Sequence, residues 1–251
     1  MERRRLVLVS RVDNVLTRRV AFRRARKTYA RPLASFTFDD FPRSAWTAGG
    51  AILERRGAKA TYYTAGGLCG VREDGLDYFT ADDLRAVHAA GHEIGCHSFS
   101  HRPAPQVPSG ELVADFQRNQ AFVDGLLGPV EMTSFAYPFG HVSLRTKRLA
   151  GRRYAVSRGY RWGVNRGTLD LDELRTVHLE ARSWSAADVE SRVETARSSG
   201  GWIVFLTHDV SFTPTPYGAT PEIMEHALDT VQDAGFEVLT VKDALARATA
   251  G

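Results

Sequence analysis

The sequence predicts a single α/β barrel domain, and three observations lead there. Strand-like and helix-like segments alternate along the chain with turn residues between them, the pattern of parallel α/β folds. The 251 residues suit one barrel, since barrels of this length are routinely one domain. No GxGxxG follows the first strand, which argues against a dinucleotide-binding sheet. With no internal repeat or low-complexity linker, the chain divides into a basic N-terminal arm, 1–31, and a barrel domain, 32–251.

The elements follow in order. Leu33 to Phe38 reads as the first strand, Ala45 to Arg56 as a helix, and Ala58 to Thr64, rich in Thr and Tyr, as the second strand. Thr80 has the chemistry of an N-cap, with Asp82 and Asp83 in the first turn where the helix dipole favours anions, and that helix closes at Gly91. His92 to Ser98 is the third strand. A helix runs from Ser109 to about Leu127, before Gly128-Pro129. Further strands are predicted at Thr133–Phe139, Tyr154–Ser157, Arg175–Glu180, Trp202–Thr207 and Phe236–Thr240. Helices fill Leu144–Ala150, Ala186–Ser198, Pro221–Ala234 and Lys242–Ala248.

Composition narrows the class. With 43% hydrophobic and 25% charged residues, long disorder is excluded. No stretch approaches the roughly 18 apolar residues of a membrane span, and Leu6-Val7-Leu8-Val9 is too short for a secretory signal, so a cytoplasmic location is expected. Cys69 and Cys96 form no CxxC pattern and are expected as small core residues. Residues 1–31 carry eleven Arg or Lys against Glu2 and Asp13; the remainder has 22 basic and 27 acidic residues, a net −5. Basicity therefore belongs to the arm, and no nucleic-acid partner is expected. Val12, Val15, Leu16 and Val20 fall on one helical face beside Arg18, Arg19, Arg23, Arg24, Arg26 and Lys27. Two placements suit such an arm: peripheral contact with an anionic membrane at its inner face, or packing on the closed end of the barrel with a solvated basic face.

In parallel α/β folds chemistry gathers at the C-terminal ends of strands. Four polar clusters sit at such ends: Asp39-Asp40 after the first strand, GHEIGCHSFSH at the third, FAYPFG at the fourth and VFLTHD at the late strand. Two adjacent carboxylates ending an apolar strand need a cation, a proton or water to offset their burial. His97 and His101 are spaced i, i+4. A strand would hold them about 13 Å apart, whereas one helical turn brings their Cβ atoms within about 5–6 Å, so the chain should curl after Ser98. Two imidazoles and one carboxylate make a three-ligand metal site with open positions for water.

Thr37-Phe38-Asp39-Asp40, His97-Ser98-Phe99-Ser100-His101, Phe135–Gly140 and Leu206-Thr207-His208, in this order over about Leu33 to Thr240, resemble the polysaccharide deacetylase or NodB-type family, carbohydrate esterase family 4. The resemblance implies a distorted (β/α) barrel of the NodB/polysaccharide deacetylase type, and a metal-dependent amidohydrolase removing an N-acetyl, less readily an N-formyl, group from an amino sugar or glycan-biosynthesis intermediate. It implies a divalent metal, foremost Zn2+ with Co2+, Ni2+ or Mn2+ as substitutes, held by Asp40, His97 and His101. Asp39 is then the general base and His208 the general acid. Substrate contacts fall on Tyr137, Pro138, Phe139 and Gly140, with the Phe139 backbone near the oxyanion, and Trp184 and Leu206 form an acyl pocket. His141 stands at the expected mouth.

The sequence departs from the family in three places. Phe41, followed by Pro42, replaces the Gly that often follows the paired aspartates, and is expected to narrow or reshape the entrance. Ala136 stands where the family supplies an Arg to the base, so another cation should approach Asp39; Arg182 is the nominee, with Arg175 and His178 in reserve. The fourth motif survives only as Glu180 and Trp184. Two alternatives accompany the main reading: an allantoinase-like cyclic-amide hydrolase, favoured by a tight pocket with an Arg or Asn clamp, and an inactive carbohydrate-binding relative.

Overall fold

Period-two alternation along the first strand, Leu33–Phe38 (β1), sorts its side chains to two sides. Ala34, Phe36 and Phe38 enter the large core beneath the helices, while Leu33 enters a smaller cluster inside the barrel. Six further strands join it: Ala60–Thr64 (β2), Glu93–Cys96 (β3), Ser134–Ala136 (β4), Val156–Trp162 (β5), Leu174–His178 (β6) and Trp202–Thr207 (β7). All seven are parallel, and β7 pairs along the whole of β1, from Trp202 beside Leu33 to Thr207 beside Phe38, which closes the barrel. In β7 too the residues alternate, Ile203 and Phe205 outward, Trp202 and Val204 inward. This computed structural model describes residues 17, 19–28, 31–73 and 75–250.

The helices wrap the barrel as Ala51–Arg55 (α1, preceded by a wider-wound turn over Ala45–Gly50), Ala81–Ala89 (α2), Ser109–Leu127 (α3), Leu144–Gly151 (α4), Ala186–Ser199 (α5), Pro221–Asp233 (α6) and Val241–Thr249 (α7). Thr80 caps α2 through a reciprocal pair with Asp83, as its residue type predicts. The foot is closed by α7, whose Val241, Ala244 and Ala248 pack on Leu33, Val156 and Trp202. A short strand, Glu237–Val238, runs beside Leu33–Ala34.

Two boundaries differ from expectation in ways that matter. The fourth strand stops at Ala136, because Pro138 starts a tight turn over Pro138–Gly140. The fifth runs five residues past Ser157, to Trp162. The described part of the arm lies against the barrel: Arg24–Arg26 forms an antiparallel ribbon with Thr168–Asp170, and Arg23 pairs with Asp172 at 2.7 Å. Lys147, fully buried, donates to the carbonyls of Thr17 and Val20 at 2.8 and 3.1 Å. Val12, Val15, Leu16 and Arg18 lie outside the described residues. Among the described residues no helix is long and apolar enough to cross a membrane.

Candidate active site

The four motif segments meet at the C-terminal mouth of the barrel. His97 follows β3 directly, and the chain then turns back through left-handed backbone at Ser98 (φ 60°) and His101 (φ 48°). Asp115, reaching up from α3, accepts from the N–H groups of Phe99 and Ser100 at 2.9 and 3.2 Å and holds this turn. The curl expected after Ser98 is thus present, and the two imidazole centroids lie 5.0 Å apart.

Asp40 Oδ1 lies 3.2 Å from His97 Nε2 and 2.8 Å from His101 Nε2, and the three donor atoms fall within 4.8 Å of one another. His97 Nδ1 sits 2.8 Å from the Ala136 carbonyl, which can only accept, so Nδ1 carries a proton and the ring is turned with Nε2 toward Asp40. Asp40 Oδ1 is shielded from solvent and has no hydrogen-bond partner among the described residues. Two imidazole nitrogens and a carboxylate oxygen converging at these distances offer an N,N,O donor set of the kind that catalytic zinc sites use. Burial alone would raise the Asp40 carboxyl, but the contacts with His101 and then His97 outweigh it and hold Asp40 well below the usual carboxylate range.

Asp39, adjacent in sequence, faces differently. Its Oδ1 accepts from the guanidinium of Arg158, itself 1% exposed, on β5. Arg158 is paired in register with Ala136 of β4. The cation missing at position 136 therefore comes from its neighbour across the strand pair, and the small Ala136 leaves the barrel interior free for it. The guanidinium also lies 4.8 Å from the centroid of the Tyr63 ring, a ring that fits only because a Cβ at position 95 would sit 2.6 Å from it and Gly95 has none. Arg182, nominated from sequence for this role, does not reach it. Its Nε binds Glu180 at 2.8 Å, its terminal nitrogen donates to Tyr160 Oη at 2.7 Å, and the group lies over Tyr217. Arg175 faces the barrel flank, and His178 stacks on Tyr160 at 3.8 Å.

Across the mouth, His208 Nε2 stands 4.0 Å from Asp40 Oδ2, while its Nδ1 lies 3.2 Å from the Tyr217 carbonyl. Phe139 is 57% exposed with its ring 4.6 Å from that of His101, on a residue at φ 59°. Gly140 follows at φ 63°, where a Cβ would meet Tyr160 at 2.2 Å. Leu206 is fully buried, between Thr37 and His178 on the strands either side, pointing inward with Val204.

Several expectations need correction. Tyr137 is 1% exposed and its hydroxyl donates to the Asp172 carbonyl at 3.1 Å, so strand alternation turns it away from the mouth and it contacts no substrate. Phe41 does not narrow the entrance: it is fully buried between Phe79 and Tyr62, at 4.8 Å from each ring. Its φ of 58° explains why Gly suits this position. Trp184 packs edge-on against His226 of α6 at 5.5 Å, in the helical layer. Tyr217 is 48% exposed beside His208, and the partly buried Trp46 packs edge-on against Tyr62 and His92. Asp115 and Arg158 were missed. Nothing local marks Asp115; for Arg158, continuing the alternation of Val156 to Arg158 places a cation inside the barrel.

A peptidoglycan-N-acetylglucosamine deacetylase of Bacillus cereus is 26% identical over 208 residues, covering 82% of this chain and 68% of that protein. Two solved structures share the fold. A family 4 acetyl xylan esterase from Clostridium thermocellum, in complex with a cobalt ion, gives a TM-score of 0.57 at 20% identity, covering 84% of this chain and 89% of that one. A CE4 family pseudoenzyme from Bacillus anthracis gives 0.59 at 15%, covering 89% and 68%. The family pattern for polysaccharide deacetylases matches residues 26–157, more than half of the chain, a span that holds Asp39, Asp40, His97, His101 and Ala136. The chain belongs to the polysaccharide deacetylase family.

Proposed function

We propose that this chain is a divalent-metal-dependent deacetylase that hydrolyses an N-acetyl group, less readily an N-formyl group, on an amino sugar of a glycan or of a glycan-biosynthesis intermediate. The observation that carries the reading is the division between adjacent carboxylates: Asp40 joins two imidazoles, and Asp39 joins a guanidinium. Asp40, His97 and His101 would hold the ion, with Zn2+ suited to the donor set and Co2+, Ni2+ or Mn2+ able to use the same atoms. Bound there, the ion supplies Lewis acidity toward an amide carbonyl and lowers the pKa of water.

The remaining steps belong to the chain. Arg158 occupies Asp39 Oδ1, which leaves Oδ2 to take the proton from the attacking water. Proton transfer by a positioned base contributes about 10²–10⁴-fold. His208 donates Nδ1–H to the Tyr217 carbonyl, so Nε2 is the atom that delivers a proton to the departing amine. The backbone N–H of Phe139, in its strained turn, is our donor to the oxyanion, and the exposed Phe139 ring offers a face to the sugar. Leu206 forms the inner wall of the acyl pocket. The name of the Bacillus cereus relative supports N-acetylglucosamine as the first sugar to try.

The pseudoenzyme among the fold relatives means that the barrel alone does not separate active from inactive chains. The test is acetate release from a panel of N-acetylated sugar nucleotides, oligosaccharides and peptidoglycan fragments. Release abolished by a chelator and restored by Zn2+ is expected. A metal-loaded protein that releases no acetate from any of them, or that opens a cyclic amide instead, would overturn the reading.

A further inference from the structure

A cavity of about 540 Å3 opens on the flank of the barrel, beside the Arg24–Arg26 ribbon, the loop after β5, and α5. No residue of the Asp39–Asp40–His97–His101–His208 constellation lines it. Six arginines do: Arg19, Arg24, Arg161, Arg166, Arg175 and Arg192. Among the described residues the carboxylates in its wall are Asp170 and Glu173, and the buried Lys147 ammonium engages both, at 3.1 and 2.8 Å. Among the described residues Arg19, Arg24, Arg166, Arg175 and Arg192 make no carboxylate ion pair, and Arg192 Nε is shielded from solvent without a hydrogen-bond partner. Arg175 is disfavoured as a cation first by burial and then by Arg161, with Arg166 adding to it.

The wall is built. Asn165 binds both backbone groups of Arg175, accepting its N–H and donating to its carbonyl, each at 2.9 Å, and its own N–H donates to the Trp202 carbonyl at 3.0 Å. The loop is thereby fixed to β6 and β7. Like charges gathered in a concave site repel, and an anion of several charges offsets that repulsion. Guanidinium forks match phosphate oxygens in bidentate geometry. One orthophosphate would leave most of the cavity unused, whereas a diphosphate with an attached group fits both its volume and its charge, and Trp162 adds a flat face to the lining.

We propose that this cavity binds a diphosphate-bearing ligand through Arg166, Arg175 and Arg192, at a site separate from the metal centre. Inorganic pyrophosphate is the probe, titrated calorimetrically at fixed ionic strength against the full chain, with orthophosphate and sulfate as comparators. Pyrophosphate should bind at least tenfold more tightly than either. Arg175→Ala and Arg192→Ala should each weaken it about tenfold, Arg175→Lys should weaken it with the charge and fold kept, and Asp40→Asn should leave it unchanged. Equal affinity for sulfate, unchanged binding in the Arg variants, or loss in Asp40→Asn would overturn the proposal. Uridine diphosphate and phosphatidylcholine vesicles doped with a polyprenyl diphosphate then distinguish a soluble source of the diphosphate from a lipid headgroup.

Discussion

The foot and the mouth of the barrel each bury carboxylates, and they hold them by opposite means. At the foot, Glu93 accepts from Thr61 Oγ1 at 2.8 Å, Ser134 Oγ at 2.6 Å and the Lys242 N–H at 2.8 Å, the last at the start of α7. These donors are neutral, and burial pushes the Glu93 carboxyl up. At the mouth, Asp39 meets a guanidinium and Asp40 two imidazoles, and Asp40 is pulled down. The foot carboxylate ties β2, β4 and α7 together; the mouth carboxylates are set for charge and proton traffic. Backbone strain divides the same way. The non-glycine residues with positive φ among those described are Asp40, Phe41, Ser98, His101 and Phe139, all at the mouth. Such conformations cost on the order of 1–3 kcal/mol each and persist where surrounding structure enforces them.

The sharpest break in the comparison lies between the two aspartates. Asp39→Asn should lower turnover about 10²–10⁴-fold with metal content unchanged. Asp40→Ala should lose the metal as well. Metal analysis of both purified variants beside acetate release checks the division, and equal metal loss would contradict it.

Arg158 comes next. Arg158→Ala should lower turnover about 10–100-fold with metal retained, the scale of losing a partner that orients a catalytic group. Because Ala136 and Arg158 are register partners, the double variant Ala136→Arg/Arg158→Ala should recover part of the loss. Arg182→Ala, whose side chain serves Glu180 and Tyr160, should change turnover far less. A rate loss with Arg182→Ala equal to that with Arg158→Ala would reverse the assignment.

At the foot the effect should move from rate to stability. Glu93→Gln keeps the shape but loses one acceptor, and should cost about 1–3 kcal/mol of unfolding free energy with kcat unchanged, read by denaturant titration and by acetate release.

The smallest effect is in pH. Burial lowers His92 to about 4, and Lys59 adds to the shift; its Nδ1 accepts the Ala60 N–H at 2.9 Å. Burial likewise lowers His178 to about 4. Between pH 6.5 and 4 the unfolded chain takes up protons at these sites and the folded one does not. Their stabilisation is therefore complete above 6.5 and is lost as pH falls through this window. His92→Asn, which can still accept from Ala60, should flatten the fall of the melting temperature between pH 6.5 and 4 relative to the parent chain. An unchanged slope would show that His92 does not titrate in this way.

Legibility follows the range of the interaction. The sequence by itself determined the order of strands and helices, the cap at Thr80, the mouth as the place of chemistry and the curl that brings His101 to His97, because periodicity, cap chemistry and i, i+4 spacing act within a few residues. The bounds of Trp202–Thr207 and Ser109–Leu127 are those the sequence predicts. Tertiary structure decided which side each mouth residue serves. Tyr137 follows strand alternation into the wall, Phe41 exchanges backbone strain for burial between two rings, and Asp39 finds its cation 119 positions away on Arg158. No spacing rule reaches that far, since the closure of the barrel, by which parallel strands lying far apart in sequence are brought side by side, alone sets those distances.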